Sequence, residues 1–178
     1  MSQQSPAVLT VGHSTRSSGE LLGLLHAHGA DAVVDVRKLP GSRRHPQFDR
    51  ETLTATLSEA GIGYLHLPGL GGRRNLRSES PNAAWHNTSF RAYADHMATP
   101  EFRESLEEVA RLSESGHPCL MCAEAVPWRC HRRLVADALL ARGLSVGHIL
   151  VENRLQPHTL TPWARIDPET GEITYPPE

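Results

Sequence analysis

The chain has 178 residues, a formal net charge of −2 at pH 7 and 39% hydrophobic residues. That length suits one hydrophobic core rather than two, so we expect a single domain over residues 1–178. The near-neutral charge argues against a large nonspecific surface for nucleic acid. No apolar run approaches the roughly 20 residues that a membrane span requires.

The N-terminal residues and the cysteines indicate a compartment. The first residues lack both the basic start and the apolar stretch of a secretory signal. Three closely spaced cysteines, Cys119, Cys122 and Cys130, are a poor disulfide framework and fit a reducing environment. We therefore expect a cytoplasmic protein without a membrane partner, and the sequence leaves its oligomeric state open.

Strand and helix patterns alternate from the start of the chain. A β-branched run at residues 8–12 precedes a capping box from Ser17 to Glu20, which predicts a helix that ends near Gly29. A buried-strand pattern at residues 32–36 then completes a strand–helix–strand unit. Its length is what a right-handed parallel crossover requires.

The alternation continues to residue 151 and predicts the fold. Further strands are predicted at residues 64–67, 118–123 and 146–151, and further helices near Asp49, Phe90, Thr99 and Cys130. This order predicts a three-layer α/β sandwich around a mostly parallel, five-stranded, Rossmann-like sheet with its core at about residues 8–151. In the tail, 152–178, segments 164–167 and 172–175 can pair as a small hairpin.

Polar residues and glycines directly follow the predicted strands. They are Gly12, His13 and Ser14; Asp35 and Arg37; Gly71 and Gly72; and Cys122 and Glu124. Ligands of open parallel sheets bind at the carboxyl ends of the strands, and a hydrophobic core does not need such residues there. This edge of the sheet is therefore the predicted site.

Cys122 is the centre of the predicted site. It follows a strand and precedes a helix whose first N–H groups favour an anion, with Arg129 and Arg132 nearby in sequence. A thiol in that setting is a candidate nucleophile. The alternative is that Cys122 is a small buried core residue, as we expect Cys119 to be.

Other site residues also carry two interpretations. Glu124 and His13 are acid–base candidates, although Glu124 can instead pair with Arg132 and His13 can be solvated. Asp35 and Arg37 can form an ion pair that is purely structural or that orients Arg37 toward an anion.

Zinc is a further alternative. Cys122, Cys130 and His131, with another histidine such as His13, are residue types that hold this metal. The spacing of the two cysteines is not that of a standard zinc knuckle. We therefore predict no cofactor and keep zinc as an alternative.

Arginine supplies 17 of the 18 basic residues, and Lys38 is the one lysine. This excess reflects either codon bias or guanidinium groups that grip a planar anion. The loops 41–44 and 71–75 together hold four arginines beside small residues. They either contact the phosphates of a nucleotide or nucleic acid or are solvated.

Several of these motifs, in this order, resemble the domain of unknown function 488 family. They are Gly12-His13-Ser14; Asp35-Val36-Arg37 with Pro40 and Ser42; Tyr64 to Leu67 with Leu70-Gly71-Gly72; and Cys122-Ala123-Glu124 with Cys130-His131-Arg132. The resemblance runs from about Leu9 to Ile149. It implies one α/β domain with a shared site built from these motifs, and it implies no particular reaction.

The sequence thus predicts an enzyme, a hydrolase or transferase with a reactive cysteine, acting on a phosphorylated, nucleotide-like or nucleic-acid-derived substrate. Cys122 is the expected nucleophile, and Glu124 and His13 the acid–base residues. The expected anion contacts are Gly12, Ser14, Asp35, Arg37, Ser42, Gly71, Gly72, Arg129, Cys130, His131 and Arg132. The alternatives are a nucleotide- or nucleic-acid-binding module without turnover, and a metal-binding protein.

Overall fold

The computed structural model describes residues 4–41 and 43–178 and has a six-stranded central sheet. The strands are β1 (Val8–Gly12), β2 (Ala32–Asp35), β3 (Gly63–His66), β4 (Pro118–Cys122), β5 (Val146–Val151) and β6 (Arg154–Pro157), in the order β3-β2-β4-β1-β5-β6. The first five are parallel, as predicted. The sequence prediction missed the sixth, which folds back antiparallel on β5.

Helices cover both faces of this sheet. They are α1 (Ser18–Ala27), α2 (Arg50–Glu59), α3 (Thr88–His96), α4 (Pro100–Ser115) and α5 (Arg132–Ala141). Single turns of 3-10 helix lie at Pro46–Phe48, Pro68–Leu70 and Pro127–Arg129. The predicted three-layer sandwich is confirmed.

Strand alternation assigns each side chain to one of two hydrophobic clusters. Cys119 and Met121 of β4 pack with Leu21 of α1 on one face. Leu120 and Cys122 pack on the other face, with α3, α4 and α5. The thiols of Cys119 and Cys122, both on β4, therefore lie on opposite sides of the sheet.

The capping box predicted at Ser17 is present. Ser17 Oγ accepts from the backbone N–H of Glu20 at 3.1 Å, and the Glu20 carboxylate accepts from the N–H of Ser17 at 3.0 Å. The helix predicted near Cys130 begins instead at Arg132, which leaves Cys130 just before its first turn.

The tail folds back onto the domain. Strands β7 (Arg165–Ile166) and β8 (Ile173–Thr174) form the predicted hairpin, and the following Tyr175 is fully buried. Its hydroxyl donates to Asp137 of α5 at 2.8 Å. Within the described part of the chain, no helix is long and apolar enough to cross a membrane.

Strand order places the site between β1 and β4. These strands are neighbours, with Gly12 paired to Cys122 at their carboxyl ends. The chain leaves β1 for α1 on one face and leaves β4 for α5 on the other. Such a divergence opens a crevice, the usual ligand position of open α/β sheets.

Candidate active site

A cavity of about 610 Å³ lies at this crevice, within the roughly 300–1,000 Å³ of typical ligand pockets. Nine of the predicted site residues line it: His13, Ser14, Arg37, Gly72, Cys122, Glu124, Arg129, Cys130 and His131. Lys38, His45 and Tyr93 also line the pocket and were not predicted from the sequence. Arg73 lines it too, as one of the loop arginines predicted either to contact phosphates or to be solvated. Ser42 lies outside the described residues.

The centre of the pocket wall is a pair of thiols. Cys122, the last residue of β4, and Cys130, just before α5, have their Sγ atoms 2.7 Å apart. The turn at Pro127–Arg129 returns the chain to this point, and the N–H of Cys130 donates to the carbonyl of Pro127. Residues eight apart in sequence thereby become direct neighbours.

The two thiols have opposite preferences for the proton. Burial disfavours a thiolate at Cys130, but hydrogen bonds from Cys122 and His131 and the charges of His131 and Arg132 outweigh it. They hold the pKa of Cys130 well below its ordinary value. Burial and the neighbouring Cys130 raise the pKa of Cys122. The thiolate therefore belongs to Cys130, with the Cys122 thiol as its donor.

The start of α5 adds to this stabilisation. The backbone N–H of Arg132 points at Sγ of Cys130 over 3.5 Å, where the positive end of the helix dipole favours negative charge. His131 Nδ1 lies 3.5 Å from the same sulfur. Its Nε2–H donates to the carbonyl of Val36 at 3.1 Å, which fixes the ring.

Arg132 lies beneath the pocket rather than in its wall, contrary to its expected role as an anion contact. It is fully buried, and its Nη2 donates at 2.8 Å to the backbone carbonyl of Glu124. The pairing predicted between these residues thus uses the backbone of Glu124. Its carboxylate is left exposed at the pocket.

Behind Arg132 a series of hydrogen bonds, called the relay below, runs to Asp137 further along α5. Arg132 Nη1 donates to Thr10 Oγ1 at 2.9 Å, and Thr10 Oγ1 lies 2.6 Å from His148 Nδ1. His148 Nε2 lies 2.9 Å from His158 Nδ1, and His158 Nε2 lies 2.8 Å from the Asp137 carboxylate. When each of the two rings carries its hydrogen on Nε2, every donor in this series points from Arg132 toward Asp137.

Arg37 is held by Asp35, and the predicted ion pair is confirmed. Arg37 Nε and Nη2 donate to the two carboxylate oxygens of Asp35 at 2.9 and 2.7 Å. Tyr64 also donates to Asp35, at 2.6 Å, and Arg37 Nη2 donates to the carbonyl of Phe48. Asp35 is fully buried behind Arg37, so it orients the guanidinium and does not itself face the pocket.

The two ring nitrogens of His13 differ in their contacts. Its ring stacks on Phe48 with centroids 4.3 Å apart, and Nδ1–H donates to the carbonyl of Ser14 at 3.0 Å. Nε2 is buried and has no hydrogen-bond partner among the described residues. Burial, with the charge of Arg37 adding to it, lowers the pKa of His13, so Nε2 carries a lone pair at neutral pH.

The glycines of the site serve close approach. A Cβ on Gly12 would lie 1.8 Å from the carbonyl oxygen of Glu124, and one on Gly71 would lie 2.8 Å from Cα of Lys38. Gly12 and Gly71 therefore shape the pocket without lining it. Gly72 does line it, against the ring of His131.

The zinc alternative gains no support from this geometry. Among residues 4–41 and 43–178, no three His, Cys, Asp or Glu side chains come together as a metal-binding group.

Fold and site together define an α/β protein with a dithiol at the switch point of its sheet. The sequence matches the family described as domain of unknown function DUF488 over residues 17–139, and the chain belongs to that family. No curated protein and no solved structure matches the chain. The matched residues include Arg37 and both thiols of the pocket; His13 precedes them.

Proposed function

We propose that this protein is an enzyme that uses a cysteine thiolate on a small anionic substrate, specifically a phosphate ester of nucleotide-like kind. The proposal is carried by the position of Cys130, whose polarised thiol lines the pocket. It moves the nucleophile expected at Cys122 to its neighbour. Cys122 becomes the hydrogen-bond donor that stabilises the thiolate.

The charges around the pocket favour an anion. Arg37, Lys38, Arg73 and Arg129 line it, whereas Glu124 is the single carboxylate among its described lining residues. Asp35 uses Nε and Nη2 of Arg37 and fixes the guanidinium, so a phosphate oxygen would be contacted through Nη1.

The chemistry follows from the two nucleophilic groups of the site. The Cys130 thiolate attacks phosphorus and forms an S–P bond, and the ester oxygen leaves with the bonding electron pair and takes up a proton from solvent. A water molecule that loses its proton to Nε2 of His13 then attacks phosphorus. The S–P bond breaks and the thiolate is restored. Glu124 is the second acid–base candidate because its carboxylate lines the pocket.

The first test measures binding at the thiolate. Iodoacetamide would be reacted with the native protein with and without inorganic phosphate, and alkylation of Cys130 followed by mass spectrometry. We expect phosphate to slow the alkylation and Arg37→Ala to weaken that protection in a salt-dependent way. Equal rates with and without phosphate would remove the anion site from the proposal.

The second test measures turnover on p-nitrophenyl phosphate, nucleoside monophosphates and a 5′-phosphorylated oligonucleotide. We expect Cys130→Ser to abolish turnover by at least about a thousandfold and Cys119→Ser to leave it unchanged. Phosphate protection of Cys130 without turnover of any of these esters would favour the alternative, a binding module for nucleotides or nucleic acid.

We also infer a cytoplasmic location for this reaction. All three cysteines are free thiols, and a dithiol site needs a reducing compartment to persist.

A further inference from the structure

We propose that Cys122 and Cys130 form a reversible oxidation site for small hydroperoxides, with an intramolecular disulfide as the product. This inference does not depend on the proposed reaction with phosphate esters. It rests on the placement of two thiols and on what surrounds each of them.

Proximity is the first argument. The two Sγ atoms are 2.7 Å apart, and a disulfide bond of about 2.05 Å requires only a small further approach. The turn between β4 and α5 already holds both residues in place, so bond formation needs no rearrangement of the sheet. Two cysteines that approach each other only after unfolding could not form such a bond in the native protein.

The second argument is the difference in surroundings between the two sulfur atoms. Around Cys130, the N–H of Arg132 and the side chain of His131 stabilise negative charge on sulfur. Cys122 has its Sγ 3.6 Å from the carbonyl oxygen of Glu124 and 2.7 Å from Sγ of Cys130, so both neighbours can accept from its single S–H. Cys130 is therefore the thiolate that meets the oxidant, and Cys122 is the protonated thiol that resolves it.

Access is the third argument. Cys130 is 7% exposed and Cys122 only 3%, but both line the pocket of about 610 Å³. A molecule as small as hydrogen peroxide reaches sulfur through this opening. Cys119 faces the opposite side of the sheet and is fully buried, so it provides an internal control within the same strand.

The chemistry balances with a hydroperoxide as the oxidant. The thiolate of Cys130 attacks one peroxide oxygen, the O–O bond breaks, and with one proton from solvent the products are a sulfenic acid and water. The Cys122 thiol then displaces the hydroxyl of the sulfenic acid, which leaves as a second water, and the S–S bond forms. A dithiol such as dithiothreitol returns both thiols.

In the test the native protein is treated with hydrogen peroxide and then denatured in the presence of N-ethylmaleimide, which alkylates every remaining free thiol. The mass of the protein is then measured. Without peroxide we expect all three cysteines to be alkylated; after peroxide we expect Cys119 alone, with the protein two hydrogen atoms lighter before alkylation. Dithiothreitol should restore the original pattern. Cys119→Ser should still form the disulfide.

Two further variants keep the proposal falsifiable. In Cys122→Ser, Cys130 should accumulate sulfinic acid because no resolving thiol remains, and in Cys130→Ser, Cys122 should stay alkylatable. Circular dichroism would establish that both variants fold. Sulfinic acid at Cys130 in the wild type, unchanged alkylation of both thiols, or a disulfide between two chains on a nonreducing gel would each overturn the proposal.

The readout is thiol chemistry and uses no phosphate ester. Disulfide formation without turnover leaves this inference standing and removes the proposed function. Turnover without disulfide formation does the reverse.

Discussion

Cys119 and Cys122 are three residues apart on β4, so strand alternation places them on opposite sides of the sheet. Burial raises the pKa of Cys119 to about 12, although the charge of Arg132 works the other way. Cys130 is also buried, but it has hydrogen-bond donors and cationic neighbours. At the scale of single residues, donors around the sulfur decide which thiol is reactive.

This difference predicts the pH dependence of alkylation. The rate of reaction of Cys130 with iodoacetamide should level off well below pH 8.5, where an ordinary thiol is only half ionised. Removal of the donor in Cys122→Ala should move that profile upward by about one pH unit, since a hydrogen bond to a charged group contributes roughly 1.5 kcal/mol. A profile for wild-type Cys130 that matches free glutathione would contradict the assignment of the thiolate.

Gly12 gives a second prediction at this scale. In Gly12→Ala the new Cβ would overlap the carbonyl of Glu124, the same oxygen that Arg132 holds. We expect unfolding in urea to show a loss of about 1–3 kcal/mol, together with slower alkylation of Cys130 as the loop shifts. The matched control is Gly23→Ala in α1, where nothing lies within 4 Å of the added Cβ. That variant should be neutral or slightly more stable.

The relay from Arg132 to Asp137 connects three elements. Thr10 lies on β1 and His148 lies on β5, and Arg132 and Asp137 both lie on α5. A buried cation and a buried carboxylate are thereby joined through a hydroxyl and two imidazoles rather than by direct contact. These hydrogen bonds hold Arg132 under the loop that carries Glu124.

The relay predicts a pH-dependent stability. Burial, with the charges of His158 and Arg132, lowers the pKa of His148 to about 3. Below about pH 6.5 the imidazole of His148 therefore takes up a proton in the unfolded chain but stays neutral in the folded protein. The free energy of unfolding should fall as the pH drops below 6.5, by up to about 1.4 kcal/mol per pH unit from this group.

The measurement is urea unfolding between pH 7 and pH 5. His148→Gln should be less stable at pH 7 and should show a smaller decline toward pH 5. His117→Gln, at an exposed position, should keep the wild-type slope. Equal slopes for His148→Gln and the wild type would mean that His148 accepts its proton in the folded state.

At the scale of the whole molecule, the matched family residues, 17–139, do not make up the fold by themselves. β1 lies in the middle of the sheet, between β4 and β5, and precedes the match. The tail also contributes, since Tyr175 is fully buried and donates to Asp137, and Trp85 packs on Tyr175 and Trp163.

Removal of residues 159–178 should therefore destabilise the domain. Asp137 would lose the hydroxyl of Tyr175 and the N–H of Thr161 and keep only its contact with His158 among those described, and a buried carboxylate that loses two donors costs several kcal/mol. Thermal unfolding should show a much lower and broader transition. Removal of the exposed residues 176–178 alone should leave the transition unchanged, and an unchanged transition for the longer deletion would refute the structural role of the tail.

Local patterns in the sequence determined the five parallel strands, the capping box at Ser17, the C-terminal hairpin and the edge of the sheet that carries the site. These follow from side-chain periodicity and from the rule that parallel strands end together. The ion pair of Asp35 and Arg37 was predictable for the same reason, because its partners are two residues apart.

Only the tertiary structure decided the chemistry within that site. The contact of Thr10 with His148 spans 138 positions, and Arg132 reaches Thr10 across 122. No local pattern encodes such distances, because they depend on strand order. Strand order also buries Arg132 and leaves Nε2 of His13 without a hydrogen-bond partner in the part of the chain that the structure describes. It brings Cys130 beside Cys122, where the balance of burial against hydrogen-bond donors selects the thiolate.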